Sequence, residues 1–128
     1  FINMNFFPKN YVEHSDSRGS FIELIKSNSS GQFSYSSTKP GVTRGQHFHT
    51  RKVERFIVMS GKAIIRLRKI GTTQIIKYHL SGKVPQYVDM PVWYTHNIQN
   101  IGSDDLLTLF WVNEHYDPKD PDTFFEEV

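Results

Sequence analysis

Short apolar runs broken by frequent turn signals fill this chain, and their spacing is that of strands rather than helices. Asp16-Ser17-Arg18-Gly19-Ser20 reads as a turn that launches Phe21-Ile22-Glu23-Leu24-Ile25, and Asn28-Ser29-Ser30-Gly31 ends that run. Gln32 to Ser37 follows as a strand, closed by Lys39-Pro40-Gly41. Phe56-Ile57-Val58-Met59 is a short apolar strand stopped by Ser60-Gly61. From Ala63 to Arg68 the pattern alternates, with Ala63, Ile65 and Leu67 on one face and Ile64, Arg66 and Arg68 on the other. Gly71-Thr72-Thr73 turns into Gln74 to Tyr78. Gln86 to Met90 and Thr95 to Gln99 flank Pro91, and Leu106 to Val112 is the most apolar strand. About nine strands at this spacing predict an all-β chain, an antiparallel jelly roll or small barrel. The helical candidate is a final turn, capped by Asp120-Pro121-Asp122-Thr123 and running through Phe124-Phe125-Glu126.

Composition narrows the function classes. The 128 residues suit one domain over 1–128, and 38% hydrophobic residues with 14% aromatics are a globular composition. Fifteen basic against 13 acidic side chains leave a net charge of +2, too small and too scattered to argue for nucleic acid or an anionic membrane. The absence of cysteine excludes a disulfide scaffold, a thiolate zinc site and a cysteine nucleophile. It also fits a reducing compartment, so a cytoplasmic location is expected. No apolar run approaches the roughly 20 residues of a membrane-spanning helix. Phe1-Ile2-Asn3-Met4 lacks the features of a signal peptide, and a start without methionine reads as a domain cut from a longer protein.

The chemistry concentrates between Gly41 and Gly61. His47 and His49 are two positions apart, so on a strand they project from one face, and Glu54 follows after a connection that can fold back towards them. His96 stands near the start of a later strand. Three imidazoles and one carboxylate suit a divalent transition metal, zinc included. A His-x-His pair by itself is usually no more than two polar positions on a solvated strand. The complete spacing says more: Gly41, five residues, His47, one residue, His49, four residues, Glu54, six residues, Gly61. This is the first motif of the cupin superfamily. Of the second motif, Pro91, His96 and Asn100 match, whereas Pro85 and Trp93 stand where glycines are expected. The resemblance implies a cupin jelly-roll barrel, an antiparallel double-stranded β-helix.

Asp16-Ser17-Arg18-Gly19 together with Arg44-Gly45-Gln46-His47 resembles the paired signature of the nucleotide-sugar cupins, which include 3,5-epimerases and 3,4-ketoisomerases of 4-keto sugars. Over essentially its whole length, the chain resembles the C-terminal cupin domain of bifunctional capsular-polysaccharide enzymes. Trp111-Val112-Asn113-Glu114 and Asp117-Pro118 to Phe124-Phe125 carry much of that likeness. The resemblance implies C3 epimerisation of a UDP-linked 4-keto-6-deoxy-N-acetylhexosamine, on the route to UDP-N-acetyl-L-fucosamine. It also implies a zinc ion, a homodimer and an upstream short-chain reductase domain that uses NADPH. This stretch has no glycine-rich dinucleotide fingerprint, so no NADPH site is expected within it.

Epimerisation next to a ketone needs a base, an electrophile and a proton donor. In the 3,5-epimerases the histidine matching His47 is the base. A nitrogen bound to a metal cannot also take a substrate proton, so His47 has one role or the other. The proton-donating tyrosine of those enzymes falls near Phe110, which has no hydroxyl. Lys52, Tyr35, Tyr94 and His79 are the remaining acid/base candidates, and Lys52 matches a lysine at the epimerase site. Arg18 and Arg44 are the candidates for the diphosphate, through charge-assisted bidentate bonds. Their plainer reading is as turn arginines paired to nearby carboxylates. Trp93 and Tyr94 are candidates for stacking on uracil, though plain packing is the commoner role. His14, His79 and His115 otherwise read as surface or turn residues. The metal can polarise a carbonyl or merely tie strands together. Two other readings stand beside the epimerase: a metal-dependent cupin dioxygenase or isomerase on a small molecule, and a non-catalytic, metal-stabilised dimerisation or sugar-binding module.

Overall fold

The computed structural model describes residues 8–128, and two antiparallel sheets face each other across a barrel interior. The strands are β1 (His14–Asp16), β2 (Gly19–Ser27), β3 (Gly31–Thr38), β4 (Thr43–Phe48), β5 (Glu54–Ser60), β6 (Lys62–Lys69), β7 (Ile75–Ser81), β8 (Tyr87–Met90), β9 (Tyr94–Asn100), β10 (Leu106–Val112) and β11 (Phe124–Phe125). One sheet has the order β1-β2-β3-β10-β5-β8 and the other β11-β4-β9-β6-β7. No helix occurs among the described residues. The all-β expectation and the jelly-roll architecture hold.

The alternation read in β6 sets the core. Ala63, Ile65 and Leu67 point inward and meet Phe56 and Val58 of β5, Leu80 of β7, Met90 of β8, Ile98 of β9 and Leu106 of β10. Apart from Ala63, each of these buried side chains contributes about 1.5–3 kcal/mol relative to exposure. This apolar cluster fills one end of the barrel. The other end is built differently, because β3 turns its polar residues inward: Gln32, Ser34, Ser36 and Thr38 are buried. Its apolar Phe33 and Tyr35 occupy the opposite face, where Tyr35 lies opposite Ile22 and Leu109. Phe56 and Phe110, with ring centroids 5.0 Å apart, separate the apolar end from the polar one.

The expected final helical turn is instead a strand. Phe124 pairs with Phe48 and Phe125 with His47, so β11 occupies the edge of β4. Asp122, at φ 45, reverses the chain just before it. Two residues cannot close a helical hydrogen bond, whereas the open edge of β4 offers unpaired backbone groups to take them. The segment is tied down further where Glu126 N–H donates to the Gln46 carbonyl (2.9 Å), and by the Arg68–Glu126 ion pair (2.8 Å).

Candidate metal centre

β4 delivers the first ligand through a bulge. Its register against β9 shifts between Gly45 and His47, and Gly45 (φ 99) and Gln46 (φ 62) both adopt left-handed backbone. A Cβ at Gly45 would lie 2.8 Å from the His96 carbonyl oxygen, so only glycine fits there. Beyond the bulge His47 sits opposite His96, their rings edge-on with centroids 4.8 Å apart. His49 follows one residue after β4 and Glu54 opens β5. The structure brings all four expected ligands together: His47, His49, Glu54 and His96 each offer one donor atom, all within 4.8 Å of one another.

The hydrogen bonds orient these rings. His49 Nδ1–H donates to the Asp122 carbonyl (2.6 Å), which leaves the Nε2 lone pair aimed at Glu54 Oε1, 2.5 Å away. His96 Nδ1 faces the Tyr94 carbonyl at 3.2 Å, and its buried Nε2, 3.3 Å from the same Glu54 oxygen, has no hydrogen-bond partner. Lone pairs and a carboxylate oxygen that converge in this way repel unless a cation lies between them. Burial, with the nearby charge of His96, lowers His47 to about 4, so its ring is neutral at neutral pH. Burial alone would raise the Glu54 carboxyl, but the two imidazoles beside it, His49 and His96, outweigh it and hold the group ionised, below the usual carboxylate range. Burial opposes charge on His49 too, yet the Glu54 carboxylate raises that ring overall. Three nitrogens and one anionic oxygen, with a partnerless buried nitrogen among them, fit a divalent transition metal.

This cluster opens on a cavity of about 540 Å³ at the polar end of the barrel. Lys52 lines it and is 4% exposed; its Nζ donates to the Pro121 carbonyl (2.7 Å) and lies 5.5 Å from the centre of the Tyr116 ring. Arg18 and Arg44 line the same cavity. Arg18 is paired to the turn carboxylate of Asp16 at 2.6 Å, as its plainer reading expected. Arg44 donates instead to Thr38 Oγ1 and to the Ser37 carbonyl. Burial first, then the charge of Arg18, lowers its pKa, as expected for two guanidinium groups sharing one region.

The other sequence candidates lie elsewhere. Tyr35 faces away from the cavity on the outer side of β3. Tyr94 and His79 line a separate, open cavity of about 650 Å³ beside β7 and β8. Trp93 stacks on Phe48 with centroids 5.7 Å apart and is half-exposed, outside the cavity lining. Its φ of 62 explains the glycine usual at that motif position. Sequence reasoning missed Tyr116 and Asp122. Tyr116 lies in a tail without periodicity, and Asp122 was absorbed into the supposed helix cap.

Superposition places the barrel among the cupins at the level of fold. It matches the Drosophila melanogaster CENP-C cupin domain over 80% of this chain and 74% of that one, with a TM-score of 0.66 and 12% identity. Within that fold the chain belongs to the polysaccharide biosynthesis C-terminal domain family, whose model matches residues 14–124. It is similar to the capsular polysaccharide assembling protein CapF from Staphylococcus aureus, with 48% identity and a TM-score of 0.94, over 96% of this chain and 33% of that one. It is also 41% identical over 111 residues to the UDP-2-acetamido-2,6-beta-L-arabino-hexul-4-ose reductase of Pseudomonas aeruginosa, covering 87% of this chain and 30% of the relative. The chain therefore spans about a third of the length of these last two relatives.

Proposed function

We propose that this domain epimerises C3 of a UDP-linked 4-keto-6-deoxy-N-acetylhexosamine, within a longer protein whose upstream short-chain reductase domain then reduces the C4 ketone with NADPH. The observation that carries this reading is the cavity that holds Lys52, the histidine–glutamate cluster and two arginines together. A keto-sugar at the inner end leaves its diphosphate to Arg18 and Arg44. The amine of Lys52, in its neutral form, takes the C3 proton, and the electron pair moves onto the C4 oxygen. Return of a proton to the opposite face of C3 inverts the centre, and the Tyr116 phenol is a further proton carrier lining the same cavity. His47, His49, Glu54 and His96 would hold a divalent transition metal, zinc by the family resemblance, which would supply Lewis-acid stabilisation or tie β4, β5 and β9 together. The Pseudomonas aeruginosa relative, a reductase of a UDP-linked hexulose, supports the sugar-nucleotide class, and the capsular polysaccharide assembling protein supports the polysaccharide setting. A homodimer is part of this reading, supported by the apolar outer face of the six-stranded sheet, where Ile22, Tyr35, Leu109 and Ile57 lie in register.

Incubating the metal-loaded, full-length protein with the UDP-4-keto sugar in deuterated buffer tests the proposal. Deuterium is expected at C3, and recovery of substrate and product without label would refute it. Stoichiometric iron and oxygen uptake in its place would favour a dioxygenase.

A further inference from the structure

We propose that Asp122 is a positioning residue of the metal centre, holding the β4–β5 loop with its carboxylate and the His49 ring with its carbonyl. The inference rests on the metal reading given above. The loop that joins His49 to Glu54 has no partner strand, and three of its successive amides point to one spot. There the Asp122 carboxylate accepts from the backbone N–H of Thr50 (3.0 Å), Arg51 (2.9 Å) and Lys52 (3.0 Å), and from the Thr50 hydroxyl (2.6 Å). Such a nest of amides around one anion fixes the course of the loop. Uncapped, these amides would leave several hydrogen bonds unmade in a closed region. Asp122 itself is 4% exposed.

The main chain of the same residue does something more specific. By accepting the His49 Nδ1–H, the Asp122 carbonyl commits that ring to one tautomer and one orientation, with Nε2 as the free donor. The left-handed backbone at φ 45 lets carboxylate and carbonyl serve the same loop from one position. The preceding carbonyl, of Pro121, takes Lys52 Nζ. One dipeptide thus sets both a metal ligand and the lysine of the cavity. A residue that only supported the fold would not choose which nitrogen of His49 is available.

The test uses the full chain with Co²⁺ as probe, in wild type and in Asp122→Asn, Thr50→Val, Asp120→Asn and Glu54→Gln. Affinity is read by chelator competition and geometry from the d–d spectrum. The His49 tautomer is read in the metal-free protein by long-range ¹H–¹⁵N correlation. Asp122→Asn puts an amide N–H₂ against the loop amides. It should lose 10–100-fold in Co²⁺ affinity, the usual cost at such outer partners, with an altered spectrum and a mixed His49 tautomer. Thr50→Val, which removes the hydroxyl bond alone, should show a smaller loss in the same direction. Asp120→Asn, at an exposed partner of Arg51, should change none of the three readouts. If Asp122→Asn binds Co²⁺ with wild-type affinity and spectrum, the positioning role is overturned. If Asp122→Asn does not fold, a folded Thr50→Val with unchanged affinity and spectrum overturns it equally. A wild-type chain that takes up no Co²⁺, or Glu54→Gln that takes it up undiminished, overturns the metal reading itself and the Asp122 role with it.

Discussion

Lys52 and Glu54 stand two positions apart in sequence, yet their surroundings give them separable work. Lys52 is held by a carbonyl and an aromatic face, and Glu54 by two imidazoles. Lys52→Met should therefore lower C3 exchange by about 10²–10⁴-fold, the usual worth of a positioned acid or base, while leaving metal content and melting temperature near wild type. Equal exchange in this variant would remove Lys52 from the reaction. At the cavity edge, the hydrogen bonds and charge of Arg18 lower the Asp16 carboxyl to about 2. A group depressed in the folded state adds stability that is present above its unfolded pKa, about 3.9, and is lost as pH falls through the folded value. Exposure keeps that contribution small. Carboxyl NMR should find an Asp16 midpoint near 2, moving up in Arg18→Gln; an unmoved midpoint would show that Arg18 is not its partner. His47, His49 and Glu54 were readable because their spacing is rigid, and His96 from a second motif kept at Pro91, His96 and Asn100. Asp122 was not, because its partners lie about 70 positions back and nothing local in Asp120-Pro121-Asp122-Thr123 announces them.

Among the elements, β4 is the one whose irregularity has a function. The bulge at Gly45 and Gln46 sets His47 against His96, and it depends on a residue without a side chain. Gly45→Ala forces a Cβ to 2.8 Å from a backbone oxygen at φ 99. Strain of this type costs about 1–3 kcal/mol, to be read as a lowered urea midpoint together with weakened Co²⁺ uptake. A Gly45→Ala variant as stable as wild type would mean that β4 can re-register without harm. The core face of β6 was legible from alternation, which assigns Ala63, Ile65 and Leu67 inward; Ile64, assigned to the opposite face, is buried as well. β3 shows what that rule misses. Its inward Gln32, Ser34, Ser36 and Thr38 are polar, and local pattern does not say whether polar side chains meet bulk water or an enclosed cavity. β11 was misread for a related reason: the open edge of a strand 76 positions earlier decided its conformation.

At the scale of the whole molecule, an apolar plug at one end and, at the other, a cavity that carries the histidine–glutamate cluster on partly apolar walls divide stability from chemistry within one barrel. The segment around 121–126 is the strap across the second region, touching β4 and the loop after it from Gln46 to Lys52. His49 and Asp122 are 73 positions apart, and Lys52 and Pro121 are 69, so the frame of the site closes only with long-range pairing, the slow part of folding for such topologies. The four ligands should then meet after the rate-limiting barrier. A metal that binds only the finished barrel slows unfolding and leaves the refolding rate unchanged. Stopped-flow refolding and unfolding with and without Zn²⁺ will check this. Faster refolding in its presence would place the histidine–glutamate cluster in the folding nucleus instead.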